Sequence, residues 1–349
     1  MKNSKNIKKE YGYVGEQINV PGPSDAEKAE GSSRRHHTRS VKDTKSRPST
    51  KSPDPLRLRN QLVLCFENHG ANLCFSNAVT SALLNILEIR RTAQDFATDG
   101  TFPNAFWGVL SRLAVKTSFQ SSSTREFRRI VAQKCLADGV RDDFNDGYQH
   151  DAAEFMKHTI EHLFSETGRL SQLRHDIFTI QTKSYLLCTS PTCSSTTQLA
   201  VDTEEILPLA INGDSLYSCL NARFADEILE RRCPERCGNV HSRKISKTLR
   251  YPSNVIFQLK RWNNLREKIN SEVMIPQQIS LESTDEVNLY ELSWFICHIG
   301  NTPNSGHYIC YLPDHQENSF TVLNDERIST EKMSAKIEKE VYMISYTKL

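Results

Sequence analysis

Three side chains spaced widely along this 349-residue chain have the chemistry of a nucleophile, a base and an orienting group: Cys74, His307 and Asn324. The base is the easiest to see. Ser305-Gly306-His307 opens a strand-like run, His-Tyr-Ile-Cys-Tyr-Leu, and a second apolar run over 319–323 ends at Asn324-Asp325. An antiparallel hairpin that pairs Leu312 with Ser319 around the polar loop 313–318 sets His307 directly opposite Asn324. Opposed residues on one face have Cβ atoms about 5 Å apart, close enough for an amide oxygen to take the imidazole Nδ1 proton and leave Nε2 as the base. Asp325 either supports Asn324 and His307 or serves as the turn residue that ends the strand.

The nucleophile lies in Asn68-His-Gly-Ala-Asn-Leu-Cys74-Phe-Ser-Asn77. Apolar residues at 75, 79, 82, 83 and 86 give the period of a helix with one buried face, which places Cys74 at the helix N-terminus. Unpaired N–H groups and the positive dipole end stabilise a thiolate there. Gly70 permits the tight turn that leads into it. A cysteine is often just a small core residue and a strand histidine is usually packed. An early Cys with a downstream His and Asn is nevertheless the papain-type order for covalent acyl transfer.

Helices are expected at 74–88, 105–116, 124–137 and 151–165, the last opened by Asp151 with Glu154 three residues on, a capping box. Strands are expected at 177–181, 184–188, 255–259, 293–299, 307–312, 319–323 and 341–346. A helical half followed by a sheet half is the α+β class. Cys188-x4-Cys193 and Cys233-x3-Cys237 form two close cysteine pairs beside turn residues, a donor set for a tetrahedral structural zinc or, alternatively, cysteines that only pack.

These segments together resemble the ubiquitin-specific proteases, which are papain-like cysteine peptidases. Gly70-Ala-Asn-Leu-Cys-Phe-Ser-Asn77 is similar to the family's cysteine box, and Gly306-His-Tyr-Ile-Cys-Tyr-Leu with Leu323-Asn-Asp-Glu to its histidine box. Gln149-His-Asp-Ala-Ala-Glu-Phe155 resembles its Q-x-D-x-x-E-F helix start. Val255-Ile-Phe-Gln-Leu-Lys-Arg-Trp262, followed by Lys268-Ile-Asn-Ser-Glu-Val273, resembles its palm strand and the segment after it. The four motifs stand in the family's order. The resemblance implies a helical thumb over about 61–175, a small fingers insertion over about 176–250 that holds the cysteine pairs, and a β-rich palm over about 251–349.

It further implies a thiol-dependent hydrolase that cleaves after the C-terminal glycine of ubiquitin, with ubiquitin and ubiquitinated proteins as partners and no cofactor in the chemistry. Cys74 would attack, His307 would move the proton and Asn324 would hold the ring. Two departures stand out. The cysteine spacings exceed the family's usual C-x2-C. The family's oxyanion Asn, five residues before the cysteine, is replaced by His69, with Asn68 one residue further away, so either side chain is a candidate donor. This opens two alternatives: a protease for SUMO or another modifier, and an inactive ubiquitin-binding module.

Composition suits this assignment. A formal charge of +2 and 38% hydrophobic residues describe one large or two small globular domains with a sizeable core. No apolar run reaches membrane-span length and the N-terminus lacks an apolar signal core, so an intracellular location, cytoplasmic or nuclear, is expected. Ten scattered cysteines fit reduced thiols. Residues 1–60 carry 14 Lys/Arg against 7 Asp/Glu with few apolar residues, which reads as a disordered basic tail. The folded part shows no basic stripe interleaved with aromatics, so no nucleic-acid partner is expected.

Overall fold

The computed structural model describes residues 61–139, 144, 147–165, 168–235, 237–302 and 305–349, and the tail expected over residues 1–60 lies outside them. The first half is helical. A two-residue β1 (Cys65–Phe66) precedes α1 (Cys74–Leu84), α2 (Leu87–Asp99) and α3 (Ala105–Ala114). A short β2 (Ser121–Ser122) is followed by α4 (Arg125–Ala137), α5 (Ala152–Leu163) and α6 (Arg169–Phe178). Strands then dominate: β3 (Ile180–Cys188), β4 (Thr196–Glu204), β5 (Ile206–Ala210), α7 (Leu216–Arg223), β6 (Glu227–Glu230), β7 (His241–Arg250) and β8 (Asn254–Lys260). The chain ends with β9 (Gln278–Glu282), β10 (Val287–Thr302), β11 (Ser305–Asp314), β12 (Ser319–Asn324), β13 (Arg327–Glu331), α8 (Ala335–Glu340) and β14 (Val341–Lys348). This is the expected α+β arrangement.

An eight-stranded sheet runs in the order β13-β12-β11-β10-β14-β8-β5, with β9 also pairing β10. Its two faces are both apolar, as the alternation along β10 requires. Trp294 and Ile296 join the core shared with α1 to α6, whereas Phe295 and Cys297 join a second core under α7 and α8. Every residue of α1 is buried. The one-faced helix expected from the sequence is therefore wrong for α1, which is wedged between the sheet and the other helices. Its polar residues bond locally or to neighbours: Thr80 Oγ1 donates to Ser76 O at 2.6 Å, and Ser76 Oγ lies 2.9 Å from Thr124 Oγ1.

The expected helix over 74–88 is broken at Asn85, whose amide bonds Leu62 N, Leu62 O and Ser81 O. α2 follows, and it was missed because only Ile89 and Ala93 of its 13 residues are buried. The strand expected over 177–181 begins later, since Phe178 closes α6. β3 then runs unbroken to Cys188. Its inward positions include Thr182 and Ser184, so polar residues hide the alternation.

A separate four-stranded antiparallel sheet has the order β4-β3-β7-β6. The insertion expected as one block over 176–250 is thus discontinuous. Between β4 and β6 the chain returns to the large sheet, where β5 pairs parallel with β8 and α7 packs in the second core.

Candidate active site

Cys74 is the first residue of α1 and is 3% exposed. The β11–β12 hairpin brings His307 to it. A side-chain hydrogen bond from the His307 ring to the Cys74 sulfur is the largest influence on the His307 pKa, which is raised to about 9; burial opposes the rise and the bond to Asn324 adds to it. His307 Nε2 lies 2.6 Å from Asn324 Oδ1. The three residues therefore meet, in a geometry that corrects the sequence reading twice. Nε2 serves Asn324 and Nδ1 is the nitrogen left for Cys74, the reverse of the expected assignment.

The hairpin register is also two residues longer than expected: Cys310 pairs Leu323, and Asp314 pairs Ser319. Pro313 continues the strand, and the connection shrinks to a turn closed by Asp314 Oδ1, which accepts from Gln316 N and Glu317 N, and by Asn318 at φ 48°. Because the slip is even, every side chain keeps its face. Asn324 is consequently a diagonal rather than a direct neighbour of His307, and still reaches it.

Asp325, at φ 53°, ties the cysteine loop to this hairpin. Its Oδ2 accepts from Asn68 Nδ2 at 2.8 Å and its Oδ1 from Asn77 Nδ2 at 2.7 Å, while its backbone O accepts from Phe66 N at 3.0 Å. Asp325 Oδ2 is 3.7 Å from His307 Nε2. Thr124 Oγ1 donates to Asn77 Oδ1 at 2.6 Å, which fixes the amide that grips Asp325. The two oxyanion candidates separate clearly. Asn68 Oδ1 accepts from Leu73 N at 2.7 Å, directly before Cys74. The His69 ring is 70% exposed and lies 3.4 Å from the Glu326 carboxylate.

The strand carrying His307 is held by residues whose role the sequence did not reveal. Gln149 Oε1 accepts from Gly306 N at 2.7 Å. A Cβ on Gly306 would stand 2.4 Å from His298 Nε2 and 2.6 Å from Ile299 O, so only glycine fits before His307. Lys268 Nζ, almost wholly buried, donates to His298 O and Gly300 O at the end of β10 and pairs with Glu340. β10 in turn pairs Ile299 with His307. Asp151 caps α5 as expected, accepting from Ala153 N and Glu154 N, and its other oxygen accepts from the Tyr342 hydroxyl.

The family model described as ubiquitin carboxyl-terminal hydrolase matches residues 65–346. The chain belongs to this family. Ubiquitin carboxyl-terminal hydrolase 25 of Arabidopsis thaliana is 25% identical over 229 residues, which cover 59% of this chain and 34% of the relative. Hydrolase 23 of the same plant is 26% identical over 346 residues, covering 87% and 39%. The chain thus spans about a third of the length of these relatives. Among solved structures, the SAGA DUB module Ubp8/Sgf11/Sus1/Sgf73 bound to monoubiquitin superimposes with a TM-score of 0.67 at 19% identity, over 86% of this chain and 72% of that one.

In this ubiquitin carboxyl-terminal hydrolase family member, the four cysteines singled out from the sequence come together at one end of the small sheet. The sulfurs of Cys188, Cys193, Cys233 and Cys237 all lie within 4.8 Å of one another. Cys188 is 3.6 Å from Cys237, and Cys193 is 3.7 Å from Cys233. A tetrahedral zinc with bonds of about 2.3 Å has sulfurs about 3.8 Å apart, so the cluster fits that ion despite its long spacings. Cys193 N donates to Ser190 O in the turn that closes the longer spacing. Ser190 N and the Asn239 amide donate to Cys188 Sγ and lower its pKa to about 7, which favours one thiolate, while the Cys193 and Cys237 thiols are shifted up. Among the described residues no helix is long and apolar enough to cross a membrane.

Proposed function

We propose that the chain is a thiol-dependent deubiquitinase that hydrolyses the isopeptide or peptide bond after the C-terminal glycine of ubiquitin. The observation that carries this reading is the continuous hydrogen-bonded line from Cys74 through His307 to Asn324, within a chain of this family. Cys74, as the thiolate paired with the His307 imidazolium, attacks the carbonyl carbon. His307 then gives its proton to the leaving lysine amine and afterwards takes one from the water that releases the thioester. Asn324 holds the ring plane throughout. The oxyanion is met by the Cys74 backbone N–H at the helix start and by the second amide hydrogen of Asn68, whose first is fixed on Asp325.

In this reading α1 to α6 form the thumb, the large sheet the palm, and the four-stranded sheet the fingers that cradle folded ubiquitin. A groove of about 540 Å³, lined by Asp151, Glu154 and Lys157 of the helical half and by Glu205, Pro208 and Gln258 of the sheet half, receives the extended tail. Cys188, Cys193, Cys233 and Cys237 hold a structural zinc that ties the β3–β4 connection to the β6–β7 connection, and the ion takes no part in the chemistry.

The test is hydrolysis of a fluorogenic amide of the ubiquitin C-terminus, with the SUMO equivalent in parallel. Turnover of the ubiquitin amide that disappears in Cys74→Ala supports the proposal. Turnover of SUMO alone moves the specificity to another modifier, and tight ubiquitin binding without turnover makes the chain a binding module.

A further inference from the structure

Among the described residues, outside the catalytic line and the small sheet, one more cluster of metal-ligating side chains lies between α4 and α5. Cys135, in the last turn of α4, is fully buried, as is nearly all of His162 in the last full turn of α5. His158 stands one turn before His162 on the same face, since residues four apart on a helix are neighbours. The sulfur of Cys135 and one ring nitrogen from each histidine lie within 4.8 Å of one another. Asp138, the residue that ends α4, places Oδ2 3.6 Å from His162 Nε2. That is too long for a hydrogen bond, and His162 Nε2, though buried, has no hydrogen-bond partner among the described residues. A buried polar atom left in this state points to a missing ion or water.

We propose that Cys135, Asp138, His158 and His162 form a second divalent-metal site, distinct from the four-cysteine cluster, and that its ion is zinc. The distance between the Asp138 and His162 ligand atoms fits. Two ligands bound at about 2.1 Å on a tetrahedral ion stand about 3.4 Å apart, and small rotamer changes bring the remaining atoms to such distances. One thiolate, two imidazoles and a carboxylate form a borderline-soft donor set of the kind zinc takes. Binding removes the proton from the Cys135 thiol and releases it to solvent. The thiolate and the Asp138 carboxylate then balance the two positive charges of the ion, so the site is neutral. The C-terminal ends of both helices direct their partial negative charge toward the site, which favours a cation. Such an ion would pin the far end of α5, the helix whose first turn follows Gln149 and its bond to Gly306.

The inference does not depend on the deubiquitinase reading, and its test reads metal rather than turnover. The full chain is loaded with zinc, desalted, and its metal content per chain compared with that of Cys135→Ser and His158→Gln. Wild type is expected to hold one equivalent more than each variant, whatever the four-cysteine cluster contributes to all three. Since Cys135 is buried and its replacement can impair folding, Asp138→Asn, on a largely exposed side chain, is the companion. It should weaken zinc binding at this site about 10-fold or more in a competition titration with a chromophoric chelator. Cobalt(II) should give tetrahedral visible absorption that is reduced in the folded variants. Equal metal content in wild type and folded His158→Gln, with unchanged affinity in Asp138→Asn, would overturn the proposal.

Discussion

At the scale of single residues, His307 determines the pH behaviour. Its pKa of about 9 rests first on the bond with Cys74 and then on Asn324. A raised value means that the ring keeps its proton below about pH 9 and loses it above. Hydrolysis of an amide, whose leaving amine needs that proton, should therefore fall as the pH passes upward through about 9. Asn324→Ala removes one of the supports, so the alkaline limb of the kcat/KM profile should move to lower pH as well as drop. Asn68 gives a second prediction. If its amide meets the oxyanion, Asn68→Ala should lower turnover by about 10²–10³, whereas His69→Ala, which alters only an exposed ring beside Glu326, should leave turnover close to wild type. That Cys74, His307 and Asn324 come together was legible in the sequence because each belongs to a rare residue pattern. The choice between Asn68 and His69 was not, since it depends on the Asp325 carboxylate that grips Asn68 from 257 residues away. Asn77 and Thr124 were invisible for the same reason.

At the scale of elements, the site is as good as the strand ends that hold it. β11 begins under a glycine that cannot be replaced without moving His298 or the Ile299 carbonyl. Gly306→Ala should cost about 1–3 kcal/mol of stability through this overpacking, and more in activity, because the displaced backbone carries His307. Lys268→Ala should be the stronger lesion, about 3–5 kcal/mol in a urea unfolding series, since it strands Glu340 and two backbone carbonyls in a largely buried place. The palm-strand motif seen in the sequence thereby acquires a physical meaning. The Arg261 guanidinium donates to Val341 O, Ile269 O, Ser271 O and Glu338 O, and Lys268 fixes the end of β10, so the pair locks the sheet beside His307 without entering the chemistry. Strongly periodic elements such as α3, α4, α5, β8 and β14 were readable. α2 was not, because its face toward the core is only two residues wide. The hairpin register was misjudged because Pro313 looked like a loop residue, although an edge of the ladder that needs no N–H accepts it.

At the scale of the whole molecule, α1 to α6 on one face of a mixed sheet and a smaller sheet on a separate excursion follow from the order of helical and strand patterns, and that order was visible. The return of β5 and α7 to the large sheet was not, because a parallel pairing of β5 with β8 across about 50 residues leaves no local mark. The four-stranded sheet has few large buried side chains, and its far end is closed by the cysteine cluster. Chelation of the zinc proposed for that cluster should therefore loosen this sheet selectively. Limited proteolysis should then cut within residues 188–240 while the helical half stays protected, and KM for ubiquitin substrates should rise more than kcat falls. Unchanged cleavage after verified metal removal would show that the cysteines pack without need of the ion.

The central claim is that Cys74, activated by His307, is the nucleophile toward the ubiquitin C-terminus. Its most direct test is to expose the purified chain to ubiquitin bearing a C-terminal electrophile and to locate the adduct by peptide mass spectrometry. The account predicts a single ubiquitin adduct on the peptide that contains Cys74, absent in Cys74→Ala and strongly slowed in His307→Ala. A folded protein that forms no adduct, or one that carries it on another cysteine, would contradict it.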